Sequence, residues 1–261
     1  MRKCLYGLCA FLLCLSCTVK EDRSVCPCYV SVRTDTDEDC IVSFWDDGGA
    51  LLERRAFSAE SLRTGENYTA IRKGPFTVSV VKGMETMRME NTHILRCASN
   101  TFADALYGWT KSYDTGSSES LLVEGVLTQQ HAAVTLIFPS SEPVYPYDVS
   151  FYAECDGIDL MDFSAVRGAI LVDPLVLDRN NEAHFALSRQ RNGEKLWVQL
   201  KDRSSGGVLA IVDIASLLDA AGYNWDAEAL SDIRLVIDYA KMTITIYVAD
   251  WEQGKTFVFV I

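Results

Sequence analysis

Short runs in which apolar and polar residues alternate dominate the chain. Tyr29 to Arg33 alternates, as do Ile41-Val42-Ser43-Phe44-Trp45 and Phe76-Thr77-Val78-Ser79-Val80-Val81. Alternation of period two turns one side of a strand to a core and the other to water. Asp46-Asp47-Gly48-Gly49 supplies a turn before Ala50 to Phe57, and Lys73-Gly74-Pro75 supplies another before Phe76. Leu121 to Leu127 and Ala132 to Phe138 are expected to pair with each other across the polar Thr128-Gln129-Gln130-His131. Helical signal is sparse in this half. Ser58 to Arg63 and Phe102 to Tyr107 are each expected to form a short helix.

Pro139-Ser140-Ser141-Glu142-Pro143 then breaks the pattern, and two prolines around serines favour an extended connector. This predicts a boundary near residue 143, with one domain over 29–143 and a second over 144–261. Strands resume at Asp148 to Cys155, Ala165 to Val172, Ala183 to Leu187, Leu196 to Lys201 and Val208 to Ile214. Ile214 to Ala221 has helical spacing, with Gly222 as its stop. The end is again strand-like: Arg234 to Tyr239, Thr243 to Asp250 and Thr256 to Ile261. Short strands every ~8–12 residues imply an all-β chain of two tandem β-sandwiches.

The first residues obey a different rule. Arg2 and Lys3 precede an uncharged apolar run, Leu5 to Leu15, too short to span a bilayer but of signal-peptide length. Ser16 then precedes Cys17, which fits a lipobox. Cys14, three residues before the cut, departs from the commoner Leu or Val. Residues 1–16 are therefore expected to leave as a lipoprotein signal peptide, Cys17 to carry lipid, and 17–28 to form a tether. The competing reading is an ordinary secretory signal that leaves Cys17 as a thiol. Thr18-Val19-Lys20-Glu21-Asp22 resembles the signal that sends some Gram-negative lipoproteins to the outer cell surface, though a solvated tether has the same composition.

The chain has 261 residues, 49% of them apolar, which is ample for a buried core. Its formal charge of −12 opposes nucleic acid as a partner and a polybasic grip on anionic lipid. Loss of Arg2 and Lys3 with the signal peptide takes that charge from −12 to −14. Cys4, Cys9 and Cys14 would leave too, and lipid would occupy Cys17. Cys26, Cys28, Cys40, Cys97 and Cys155 remain. In an oxidising compartment one bridge is expected, from Cys26 or Cys28 to Cys40 across neighbouring strands, against the alternative of free buried thiols. Cys26-Pro27-Cys28 lacks the spacing and second pair of a zinc site.

No catalytic constellation stands out. His93, His131 and His184 are far apart and none lies in an H-E-x-x-H pattern. There is no nucleophile elbow and no glycine-rich phosphate loop before a helix. Asp35-Thr36-Asp37-Glu38-Asp39 lacks the glycine and distant glutamate of a calcium loop and reads as a solvated hairpin tip. Asn67-Tyr68-Thr69 fits a glycosylation sequon, but a bacterial lipoprotein signal opposes its use. Trp45, Trp109, Trp197, Trp225 and Trp251 would serve either a sugar site or core packing. No metal site and no cofactor is expected.

Several segments, in order, resemble the fimbrillin-associated (FimB-like) anchor lipoproteins of type V fimbriae. Glu21-Asp22-Arg23-Ser24-Val25-Cys26-Pro27-Cys28 lies between a lipid cysteine and a first strand. Asn67 to Val78 looks like the family's strand, Lys-Gly turn and aromatic-led strand. Leu127 to Phe138 looks like the last strands of its N-terminal domain, and Leu230 to Trp251 is similar to its C-terminal signature. The motifs are loose singly, and their order over most of the mature chain carries the likeness.

The resemblance implies two transthyretin-like β-sandwiches, no catalysis, a lipid tail in the outer membrane and a fimbrillin shaft subunit as partner. It also implies assembly by strand exchange, in which an alternating strand of one subunit fills the groove of another. An anchor should keep its own first strand and only donate. Thr256, Phe257, Val258, Phe259, Val260 and Ile261 form the candidate donor strand, hinged at Gly254; the alternative is a plain last strand. The chain is short for this family. Arg33, Arg54 and Arg55 lie in or near early strands, where cleaved shaft subunits carry their arginine cut site. Two rival readings are a surface lipoprotein binding glycan or protein, as an adhesin or tip subunit, and a hydrolase using paired carboxylates.

Overall fold

The structure, a computed structural model, describes residues 26–142, 145–248 and 255–258, the last by backbone alone. The expected signal segment 1–16, Cys17, residue 143, Gly254, Trp251 and Phe259 to Ile261 lie outside the described residues. The chain is nearly all β. It runs β1 (Cys28–Arg33), β2 (Cys40–Asp46), β3 (Leu51–Phe57), α1 (Ala59–Thr64), β4 (Thr69–Ile71) and β5 (Pro75–Lys82). Next come β6 (Arg88–Met89), β7 (Ile94–Arg96), β8 (Tyr107–Asp114), β9 (Ser120–Glu124), β10 (Thr128–Gln129) and β11 (His131–Ile137). The remainder is β12 (Tyr147–Asp159), β13 (Ala165–Val172), β14 (Glu182–Ser188), β15 (Leu196–Asp202), β16 (Val208–Asp213), α2 (Ile214–Ala221), β17 (Ile233–Asp238), β18 (Thr243–Val248) and β19 (Lys255–Val258).

Four sheets form two packed pairs. The first pair is a three-stranded sheet, β4-β1-β9, against a five-stranded sheet, β10-β8-β5-β2-β3. Val30, Val32, Val42, Phe44, Phe76, Val78 and Val80 fill the space between them. The second pair is β14-β11-β17-β18-β19 against β16-β15-β12-β7-β6, with β13 also on β12. Its core includes Leu136, Phe151, Val198, Leu235 and Ile246. Each such side chain contributes about 1.5–3 kcal/mol over leaving it in water.

The alternation lapses at Phe44-Trp45 and Val80-Val81, where two apolar residues adjoin. The first of each pair faces the first core. Trp45 and Val81 face outward into a third cluster with Met87, Leu95, Leu106, Ile158, Leu160 and Phe163. That cluster joins the two sheet pairs. Polar contacts reinforce the junction. Buried Arg189 donates to Gln130 Oε1 and to the carbonyls of Trp225 and Glu228.

Both expected helices that formed are capped. Ser58 and Asp213 accept from the amide three residues on, and Gly65 and Gly222 close α1 and α2 at positive φ, where glycine lacks the penalty of a Cβ. The third expected helix is absent. Phe102 to Tyr107 is a loop entering β8: Phe102 stacks on Phe185 at 3.8 Å, Ala103 N–H donates to the Ala186 carbonyl, and Asp104 holds the segment at 85–87.

Two pairings differ from the sequence expectation. β9 runs parallel to β1, while β11 pairs with β14 and β17, so Leu121–Leu127 and Ala132–Phe138 are not partners. The strand expected to finish the first sandwich lies instead in the sheet of β14, β17 and β18. The 35–39 segment is likewise not a hairpin tip. It crosses from β1 in one sheet to β2 in the other, with Asp37 paired to Lys82 at 2.8 Å and Asp39 accepting the Ala59 amide.

Candidate functional site

The first strand is held on both edges. β1 is the middle strand of its sheet, antiparallel to β4 and parallel to β9. β4 is short, and beyond it the Asn67 side chain continues the pairing: Val32 N–H donates to Oδ1 and Nδ2 donates to the Val32 carbonyl, both at 2.8 Å. Nδ2 also donates to the Ser61 carbonyl in α1. Asn67 is buried and both its amide hydrogens are engaged, so the sequon does not present a glycan acceptor. At the strand's end Arg33 pairs with Glu124, and Thr34 Oγ1 donates to the Gly125 carbonyl. Asn67 was not legible as a functional residue, because its partner lies 35 positions away.

The candidate disulfide is not formed. Cys26 is exposed and free, and Cys28 and Cys40 are buried and free. Cys28 lies on β1 and Cys40 on β2, and these strands belong to facing sheets rather than neighbouring positions of one sheet. Cys40 Sγ instead contacts Thr36 Oγ1 at 3.7 Å. Burial raises the thiols of Cys28 and Cys40, and pushes Cys155 to about 11 and Cys97 to about 12, with nearby carboxylates adding to the rise at Cys97.

Of the candidate donor strand, Thr256 to Val258 lie in β19, antiparallel to β18, with Thr245 opposite Thr256 and Thr243 opposite Val258. Among the described residues β19 is the edge of its sheet, with β18 as its one neighbour.

The histidines remain apart. His93 Nδ1 lies 3.0 Å from Asp159 Oδ2, and buried His131 lies 3.0 Å from the Leu106 carbonyl. His184 sits with Asp178 and Glu182 on the surface, with ligand atoms within 4.8 Å of one another. Asp178 spends its carboxylate on the amides of Asn180 and Glu182, which closes the turn before β14. Trp45, Trp109 and Trp225 are buried, while Trp197 is half-exposed. No helix among the described residues is long and apolar enough to cross a membrane.

No protein-family model and no curated protein matches the chain. Solved structures do. The fimbrial anchor protein Mfa2 from Porphyromonas gingivalis aligns at TM-score 0.64 and 14% identity, over 88% of this chain and 100% of that one. A candidate polysaccharide-binding protein from Bacteroides thetaiotaomicron aligns at 0.62 and 13%, over 90% and 98%. A candidate adhesin from Bacteroides ovatus aligns at 0.60 and 13%, over 88% and 96%. The chain shares the all-β fold of these fimbrial and adhesin-type structures.

Proposed function

We propose that the chain is a non-catalytic fimbrial anchor subunit. Lipid on Cys17 ties it to the outer membrane at the cell surface, and its C-terminal strand engages the adjoining shaft subunit. The chain folds as two sandwich domains that divide at Gln130, where the pairing changes over, with the 88–96 hairpin reaching across.

One observation supports this reading: β1 is the middle strand of its sheet, paired on both edges and clamped by Asn67. Arg33 is its last residue. A cut after Arg33 would release the whole of β1 and leave a groove between β4 and β9 for a donated strand. A polymerising subunit needs that groove. An anchor, whose first strand connects to its lipid, needs the strand.

The test is the intact mass and fractionation of the protein from native membranes, wild type against Cys17→Ala. An acylated chain beginning at Cys17, with fimbriae shed into the medium by the variant, supports the anchor. A chain beginning after Arg33, Arg54 or Arg55 makes it a polymerising subunit and ends the anchor reading.

A further inference from the structure

Trp197 is the one described tryptophan that packs in no core. Alternation puts it outside: Leu196, Val198 and Leu200 are buried, and Trp197 and Gln199 face away from them. Across the outer face, Leu171, Tyr152, Trp197 and Asp213 lie in register on β13, β12, β15 and β16. The Tyr152 and Trp197 rings stack with centroids 5.0 Å apart and planes 13° apart. Leu171 and Ile211 are exposed on the same sheet, at 42% and 60%. Large apolar groups gathered on an outer face mark a binding surface rather than a fold requirement.

Beside this stack, on the β16 side of Trp197, is a cavity of about 400 Å³. Trp197, Ile211, Asp213, Ser216, Asp219 and Lys195 line it. Asp213 is committed to capping α2 through Ser216. Asp219 is exposed and forms no ion pair among the described residues. The cavity therefore offers an aromatic wall, an apolar side, the Asp219 carboxylate and the Lys195 ammonium, the last also 3.7 Å from Glu154.

We propose that this face binds a neutral saccharide, one ring of which packs on Trp197. A pyranose ring has a C–H face with slight positive character, which suits the negative face of an indole. Its hydroxyls both donate and accept, so carboxylates and an ammonium suit them together. A nucleic acid or an acidic glycan is opposed by Asp213 and Asp219 at the cavity, Glu194 being paired with Arg167. A purely apolar ligand would strip water from Asp219, which has no ion-pair partner among the described residues. The proposal stands apart from the anchor reading, since it uses neither β1 nor β19.

The test is a glycan array with the purified full chain, followed by tryptophan fluorescence titration with mannotetraose, maltotetraose, xylotetraose and chitotetraose. At least one neutral glycan should give saturable binding and protect the protein from iodide quenching. Trp197→Ala should weaken that binding roughly tenfold or more, the scale of a lost aromatic contact, and Asp219→Asn should weaken it several-fold. The quenching readout needs only the wild-type chain, so a variant that fails to fold does not decide the matter. Absence of saturable binding to any neutral glycan, binding confined to acidic glycans, or binding unchanged in folded Trp197→Ala would each overturn the proposal.

Discussion

The Asn67 carboxamide pairs with both backbone groups of Val32, each hydrogen bond 2.8 Å long. One side chain thus does what a neighbouring strand would do, at the position where β4 has ended. Val32 is fully buried and water is not at hand to replace either bond. The same amide reaches Ser61, so β1 is tied to α1 as well as to its sheet.

Asn67→Ala should therefore be costly. It leaves a buried N–H and a buried carbonyl unpaired, at about 1–3 kcal/mol each. A net loss of roughly 2–4 kcal/mol in urea unfolding is expected, with faster proteolysis at Arg33. Asn67→Asp should be intermediate or worse, since it accepts from Val32 N–H but cannot donate to the carbonyl. A loss below about 0.5 kcal/mol for Asn67→Ala would mean that β4 and β9 alone hold the strand.

The thiols give a second prediction. Cys26 is exposed, whereas Cys28, Cys40 and Cys155 are buried and their thiolates are disfavoured. Maleimide at pH 8 should label Cys26 within minutes and the buried three only after unfolding. Intact mass without reductant should show five free thiols on Cys26, Cys28, Cys40, Cys97 and Cys155. A bridged mass, mapped by peptide analysis to Cys26 or Cys28 with Cys40, would restore the expected pairing.

Strand positions were legible because alternation is a local property. Tyr29–Arg33, Ile41–Trp45 and Ala165–Val172 each contain enough period-two signal to be read alone. Partners were not legible: Ala132–Phe138 reads identically whichever sheet receives it. Phe102 and Leu106 are four apart and fit a helix, but Asp104 between them is needed by amides at 85–87. The outward setting of Trp197 is also local, since Leu196 and Val198 flank it. Asn67 reaches Val32 and Arg189 reaches Gln130 from 35 or more positions away, and no spacing in the sequence marks either pairing.

Asp104 links stability to pH. Burial raises its carboxyl, but the Thr86 hydroxyl and the amides of Met87, Glu85 and Thr86 outweigh that and hold it below the ordinary aspartate value. A lowered folded-state value means that its contribution is complete above the unfolded value and fades as pH falls through the folded one. The gap in stability between wild type and Asp104→Asn should be full at pH 7 and shrink below about pH 4. A gap independent of pH between 7 and 3 would show that the charge is not what the loop uses.

Arg189 tests the junction. It carries a buried guanidinium on neutral acceptors: Gln130 Oε1 and the carbonyls of Trp225 and Glu228. Arg189→Met keeps the bulk and removes the donors, so about 2–4 kcal/mol should be lost through the acceptors left bare. Amide exchange should quicken at 128–130 and 225–228 together. Faster exchange in only one of the two segments would mean that Arg189 serves a single loop and does not join the sheet pairs.

The C-terminal strand separates two ways of meeting a shaft subunit. Among the described residues β19 lies on the edge of its sheet with β18 beside it, so one ladder holds it. Truncation after Gln253 should leave the protein folded, because Ile244 and Ile246 of β18 remain in the core, and should abolish capture of the shaft subunit. Retained capture would end the donor hypothesis. A cross-strand disulfide, Thr245→Cys with Thr256→Cys, pins β19 at home, since these positions are register partners. If β19 must leave its sheet to be donated, the oxidised variant should fail to assemble and recover on reduction. If truncation blocks assembly but the disulfide does not, the shaft subunit adds its own strand to the β19 edge, and the anchor offers a template rather than a strand.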